Sequence, residues 1–438
     1  MSTSRSEADL IAADLAHVWH PFTQFDEWMH EEKLVIERGE GVYLIDVQGR
    51  RYLDATSSLW CNVHGHCHPR LDAAARAQLG RIAHSTQLGL AATQPILLAE
   101  KLATITGLTR VFFSDSGATA VEVALKMAYQ AQRQGGRPER TKFAALDEGY
   151  HGDTLGAVSV GGIDHFHGVY RPLLFDALRL PAPDRPDPEV EAGLLDAAAT
   201  MLAEHGRHLA AFVFEPLVQG AAGMRMHSAH FLSTLCGMAR EAGALLIADE
   251  VATGFGRTGT MWAMEQVGVK PDFLCLAKGI TGGYLPLAAT LTTEEIFSAF
   301  RGPYSTWRMF PHGHTYTGNP LACAVALANL GIFEEEAVIE RLGPTIESLR
   351  AALAGLRHPW ILERRQLGLM AAVCLGPVDP ERRIGRRVAL ACRRHGVILR
   401  NLQDAIVLMP PLAMSPDDVR ACVEALAHGI DEVASESV

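Results

Sequence analysis

Two short apolar runs in the middle of the chain each end in residues able to do chemistry. Ala244-Leu245-Leu246-Ile247-Ala248 stops at the paired acids Asp249 and Glu250, and Phe273-Leu274-Cys275-Leu276-Ala277 stops at Lys278. Unbroken runs of this length suit strands buried on both faces of a parallel sheet, whose carboxyl ends are where such sheets hold ligands. A carboxylate and a primary amine brought together there fit one demanding chemistry. The amine carries a carbonyl cofactor as a Schiff base while the acid holds a cationic ring nitrogen, as pyridoxal phosphate requires. Taken alone, a strand-end Asp or Lys is as well explained by a cap or a solvated loop charge.

Other stretches supply groups that such a cofactor needs. Arg110-Val111-Phe112-Phe113-Ser114 runs through Asp115 into Ser116-Gly117-Ala118 and a strongly periodic segment to Tyr129. That order predicts a strand, a tight turn and a long helix whose first N–H groups, at Ser116, Gly117 and Ala118, face an anion. The run after Lys142 leads to Gly149-Tyr150-His151-Gly152, placing Tyr150 either to stack on a planar heterocycle or to form a rim. Phe310 to Pro320 predicts a Gly/His/Thr loop before a helix, with Thr315 a phosphate donor or part of a turn and cap. His64, His66 and His68 lack a distant ligand set to complete a metal site, so their segment reads as a substrate-facing loop. Arg400 has the fork to grip a carboxylate, yet residue type alone leaves it an unpaired surface charge.

The elements that must position these groups alternate between strand and helix. Helical spacing is expected at Leu71 to Ile82, Thr93 to Ile105, His230 to Glu241 and from Leu321 to about Glu336. Leu209 to Gly220, which carries Glu215 and Gln219, is a further buried strand, and Leu34 to Asp54 reads as small antiparallel strands. Near the C-terminus Gln366 to Cys374, Gly396 to Arg400 and Ile406 to Met409 read as strands. The fold class is α/β, a large domain with a mostly parallel central sheet plus a smaller α+β domain. The expected division is 1–60 as N-terminal arm and part of the small domain, 61–330 as the large domain, and 331–438 as the C-terminal small domain. Residues 1 to about 30 read as a polar, then aromatic arm in which Pro21 breaks any helix.

With 438 residues, 48% hydrophobic and 20% charged, the chain has the composition of a globular enzyme. A net charge of −11 argues against a nucleic-acid-binding surface. No apolar stretch reaches membrane-spanning length, the first residues lack the order of a signal peptide, and the eight cysteines contain no C-x-x-C pair. A cytoplasmic protein with reduced, mostly core cysteines is expected.

The motifs DEVATGFGRTG and AKGITGGYLP, which contain Asp249 and Lys278, resemble the signature of class III (ω-amino-acid) aminotransferases, and the likeness covers nearly the whole chain. It is narrowest to the biotin-pathway branch that aminates 8-amino-7-oxononanoate, through VWHPFTQ, SSLWCNVHGHCHP, GYHGDTLGAVSV, HGHTYTGNPLACAVA and LRNLQDAIVLMPPL. The resemblance implies fold type I of the pyridoxal phosphate enzymes, aspartate-aminotransferase-like, and a homodimer with active sites at the interface. It implies that Lys278 binds the cofactor and shuttles a proton, Asp249 pairs with the ring nitrogen and Tyr150 stacks on the ring and faces substrate. Gly117 and Ala118 take the phosphate, and His314 and Thr315 reach the phosphate of the other subunit. Arg400 takes the substrate carboxylate, while Phe22, Trp60 and Gly313 line the channel. No metal is implied. Phe22 stands where that branch commonly has Tyr, Leu59-Trp60 where it has a Trp pair, and Ala118 where it has Ser. The amino donor is therefore expected to be S-adenosylmethionine, or else L-lysine; the alternative is another class III transaminase acting on β-alanine, 4-aminobutyrate or a similar amine.

Overall fold

The computed structural model describes residues 5–376 and 380–436, so the first four residues of the polar arm lie outside the described residues. Seven strands form the central sheet, in the order Arg110–Ser114, Ala288–Thr292, Phe273–Leu276, Leu245–Asp249, Leu209–Phe214, Lys142–Leu146, Ala177–Leu180. Neighbours pair in parallel except Ala288–Thr292, which runs antiparallel to both of its neighbours.

The unbroken apolar runs follow from burial on both faces. Phe212, Phe214, Leu246, Ala248, Leu274 and Leu276 pack into one core cluster, while the alternate residues Ala211, Val213, Ile247, Phe273 and Cys275 pack into a second. Helix Gly117–Gln134 closes the second cluster through Val121, Ala124, Leu125 and Ala128. Each large side chain so buried contributes about 1.5–3 kcal/mol.

Two four-stranded sheets accompany this body. Ile36–Glu40, Tyr43–Asp46 and Arg51–Asp54 form antiparallel neighbours, and Val397–Ile398 adds in parallel beside Arg51–Asp54. Ile361–Leu367, Met370–Leu375, Ala405–Leu408 and Arg400–Leu402 form an antiparallel sheet. The helix Pro320–Glu335 runs unbroken across residue 330. Among the described residues no helix is long and apolar enough to cross a membrane.

Four expectations change. The strand expected from Leu209 to Gly220 ends at Phe214, and Val218–Gln219 pairs instead with Arg225–Met226 in a separate two-stranded sheet. The polar arm carries a helix, Glu7–His17, begun by a Ser6 capping box with Asp9 and ending before Pro21. The single strand expected from Gly396 to Arg400 is divided between two sheets, the chain crossing from one to the other at the buried Leu399. The strand expected from Gln366 to Cys374 is instead a hairpin that turns at Gly368, where φ is +59°. A Cβ on Gly368 would stand 2.4 Å from the Arg257 carbonyl oxygen. Gly368→Ala is therefore expected to destabilise the protein by roughly 2 kcal/mol or more in denaturant unfolding; a change within about 0.5 kcal/mol would show that the turn tolerates a side chain.

Candidate active site

The carboxyl ends of the parallel strands open onto a cavity of about 720 Å³ whose lining includes Trp60, Ser116, Gly117, Tyr150, Asp249 and Lys278. Register explains why the acid and the amine meet. Asp249 is opposite Cys275 on the neighbouring parallel strand, so Lys278 emerges just beyond it.

Lys278 leaves its strand with φ +44°, a left-handed backbone that costs a non-glycine residue about 1–3 kcal/mol. The turn is held from outside: Asn329 Nδ2 donates to the carbonyls of Gly279 at 3.0 Å and Ile280 at 3.1 Å, and Thr281 Oγ1 donates to that of Leu285 at 2.7 Å. Lys278 Nζ sits 4.9 Å from the centroid of the Trp60 ring. Burial lowers its pKa against the opposing pull of Asp249, Glu215 and Cys61, while Arg257 adds to the lowering. The neutral, nucleophilic amine is favoured relative to an exposed lysine.

Asp249 is oriented by two donors. His151 Nδ1 lies 2.7 Å from Oδ2, and the Val251 N–H donates to Oδ1 at 3.0 Å. The His151 side chain is fully buried, and its Nε2 has no partner among the described residues. Beside this pair, burial pushes Glu215 up to about 7; His151 opposes this, Asp249 adds to it, and the N–H groups of Tyr150 and Gly220 oppose it. Those two N–H groups each donate to the Glu215 carboxyl at 3.0 Å.

At the other end of the cavity, Ser116 caps the long helix, accepting from the Thr119 N–H at 3.3 Å while Thr119 Oγ1 accepts from the Ser116 N–H at 2.9 Å. This leaves the Gly117 and Ala118 N–H groups with no partner among the described residues. The cradle is tight: a Cβ on Gly117 would be 2.6 Å from Val251, and one on Gly152 (φ +111°) would be 2.4 Å from the Ala118 Cβ. Uncapped N–H groups at a helix N-terminus, a carboxylate and an amine lining one cavity fit a planar ring with an anionic arm and a basic nitrogen.

Tyr150 and Trp60 form the cover. The Tyr150 ring stacks on His167 at 5.8 Å with the planes 15° apart, and its hydroxyl donates to Asp153 at 2.8 Å. Burial and Asp153 raise the Tyr150 phenol pKa, whereas Arg400, close enough to act on it, lowers it. Trp60 ends a run of four left-handed residues, Ser57 (φ +43°), Ser58 (+48°), Leu59 (+74°) and Trp60 (+70°).

The structure gathers Lys278, Asp249, Tyr150, Gly117, Ala118 and Trp60 around one cavity. Phe22 is half exposed outside it and reaches Tyr150 through rings, edge-on to Phe166, which contacts His167. Arg400 is near enough to Tyr150 for their charges to interact, and its buried Nε has no partner among the described residues. Gly313, His314 and Thr315 lie outside the lining, where His314 Nδ1 comes within 2.9 Å of the Asp115 carboxylate without the alignment of a hydrogen bond. The histidines read as substrate-facing are elsewhere. His66 pairs with Asp54 at 3.0 Å, His64 packs on Phe333, and neither these nor His68 line the cavity. His151 and Glu215 also line the cavity, without a role assigned from sequence; the adjacency of His151 to Tyr150 was the available signal.

The sequence pattern of the class-III aminotransferases matches residues 25–430. The adenosylmethionine-8-amino-7-oxononanoate aminotransferase of Nitratidesulfovibrio vulgaris is 52% identical over 97% of this chain and 82% of its own length. That of Aquifex aeolicus is 48% identical over 97% of both chains. The crystal structure of the enzyme of that name from Methanocaldococcus jannaschii superposes with a TM-score of 0.93 at 41% identity, covering 98% of this chain and 99% of that one. An amine transaminase from an uncultivated Pseudomonas species, in its PLP-bound form, gives 0.89 at 38% over 95% and 98%.

The sign of one pH effect follows from Glu215. Its folded pKa, about 7, lies above the ordinary 4.5, so the folded state binds the proton more tightly, and stability falls as pH rises from about 4.5 to 7. Glu215→Gln removes that penalty. It is expected to be more stable than the parent by roughly 2–3 kcal/mol at pH 8, with the difference vanishing toward pH 4.5 in denaturant titrations. An equal difference at both pH values would count against it.

Proposed function

The chain belongs to the class-III aminotransferases, and from that premise we propose that it aminates 8-amino-7-oxononanoate to 7,8-diaminononanoate in biotin biosynthesis, with pyridoxal phosphate as cofactor and S-adenosylmethionine as amino donor. Relatives at 46–52% identity over nearly the whole chain carry the name adenosylmethionine-8-amino-7-oxononanoate aminotransferase. The observation that carries the reading is Asp249 and Lys278 at neighbouring strand ends of one cavity that also holds two helix N–H groups unpartnered among the described residues.

Bound pyridoxal phosphate supplies an electron sink for the pair released when the substrate C–H bond breaks. Lys278 would hold the cofactor, and its amine would take a proton from the substrate carbon and give it to the carbon on the far side of the substrate nitrogen, a task suited to an amine of lowered basicity. Asp249, kept in place by His151, holds the proton on the ring nitrogen. Gly117 and Ala118 grip the phosphate through their backbone N–H groups, an arrangement that does not need the hydroxyl missing at Ala118. Trp60 and Tyr150 cover the ring and limit water, and Phe22 and Gly313 line the approach. Arg400 takes the carboxylate of the long-chain acceptor.

The assembly in this reading is a cytoplasmic homodimer. Leu88 is 90% exposed and Tyr304 88% exposed. The segment of Leu88 adjoins that of His314 and Thr315, since His84 contacts Tyr316 and a Cβ on Gly318 would meet Gln87. A second subunit covering this apolar surface would bring His314 and Thr315 to its partner's phosphate. The missing hydroxyl at Phe22 alters the surface that meets the amino donor, so L-lysine is tested as donor beside S-adenosylmethionine.

Lys278→Ala is expected to abolish turnover and the absorbance band of lysine-bound cofactor; retained turnover would sink the assignment. Arg400→Leu should raise the KM for 8-amino-7-oxononanoate about 10- to 100-fold, and an unchanged KM would remove Arg400 from the carboxylate site. In single half-reactions on the holoenzyme, S-adenosylmethionine is expected to shift the cofactor band and 8-amino-7-oxononanoate to restore it. A shift with lysine alone would name lysine as donor, and a shift only with β-alanine or 4-aminobutyrate would move the chain to another branch of the family.

A further inference from the structure

A second cavity, of about 310 Å³, shares no lining residue with the catalytic one. Its wall holds Lys33, Arg50, Arg51, Arg393 and Arg394, with Glu32 the one carboxylate among them. On a chain of net charge −11 this is a local inversion of sign. Three of the cations already have carboxylate partners: Arg50 on Asp46 at 2.6 Å, Arg51 on Glu40 at 3.8 Å, and Arg394 on Glu432.

Lys33 and Arg393 have no ion pair among the described residues. Lys33 Nζ donates only to the backbone carbonyls of Trp28 and Glu31. Arg393 is the sharper case. Its hydrogen bond is a long one, 3.4 Å to the Glu32 carbonyl, and its Nε is buried with no partner. Burial and then Arg386 lower its pKa, while Glu31, Glu32 and Tyr52 pull it up. Neither Glu31 nor Glu32 satisfies it, because Glu31 is committed to Arg383 and Arg386. A half-buried guanidinium whose Nε is buried without a partner and whose one bond is long is costly unless a planar or tetrahedral oxyanion completes it.

We propose that this cavity is a binding site for a small phosphate-type oxyanion, held between Arg393 and Lys33 and flanked by Arg50, Arg51 and Arg394. Its volume admits a phosphate with a small organic group attached. Free phosphate and a phosphate monoester share the chemistry that the wall recognises.

The test uses the holoenzyme, whose cofactor phosphate site is filled, titrated calorimetrically with inorganic phosphate and separately with glycerol phosphate at constant ionic strength. Saturable binding is expected, weakened about tenfold or more by Arg393→Gln and tightened by Glu32→Gln, with transamination unchanged in both variants. Tighter binding of the monoester points to a metabolite, and tighter binding of inorganic phosphate points to the free ion. Should Arg393→Gln fail to fold, Lys33→Gln carries the same weakening test. Absence of saturable heat with either anion, or equal affinity in the parent and the cation-removing variant, overturns the proposal.

Discussion

Asp249 and Lys278 can work together because two parallel strands are locked in one register, Asp249 opposite Cys275. Side chains alternate faces along a strand, so a slip by one residue would exchange the two core clusters and turn Asp249 away from the cavity. The large, apolar residues on both faces make such a slip prohibitive. Core packing on the two faces, far more than any contact within the cavity, thus sets where the acid and the amine stand.

The cover of the cavity depends on strain held in place by a buried charge. Four left-handed residues in succession, Ser57 to Trp60, would not persist in an isolated peptide. Asp54 restrains them: it accepts from Ser58 N–H at 3.0 Å, Ser58 Oγ at 2.8 Å and Thr56 Oγ1 at 3.2 Å, and pairs with His66 at 3.0 Å. Burial alone would raise the Asp54 pKa; the bonds from His66 and Ser58 outweigh it and hold the carboxyl below its usual range. Arg257, fully buried and donating to the carbonyls of Asn62 and Pro410, ties the end of the turn to the segment after strand Ala405–Leu408. Trp60 is thereby delivered over Lys278 from a different part of the chain.

The same economy appears in the charges around the amine. Lys278, Asp249, Glu215 and His151 share a site from which water is largely withdrawn. Burial and their charged neighbours shift Lys278 and Glu215, and His151 orients Asp249. A lysine made less basic by burial and a carboxylate kept in a fixed direction by an imidazole are what proton transfer at carbon needs.

Much of this was legible in the chain. The apolar runs ending at Asp249 and Lys278 announced buried strands because they pack on both faces, and Ser116-Gly117 announced a helix start because serine caps and glycine admits close approach. The hairpin at Gly368 and the division at Leu399 were not legible, since strand propensity does not say which sheet a segment joins. Nor was the fate of His64, His66 and His68, whose types suit a ligand site equally well. Local sequence determined which segments form strands and helices and which residues close them, through side-chain period and capping. Only the tertiary structure decided that His151 holds Asp249, that Asp54 bends Trp60 over Lys278 and that Arg393 has no ion pair among the described residues, because each depends on which groups distant in sequence are packed together.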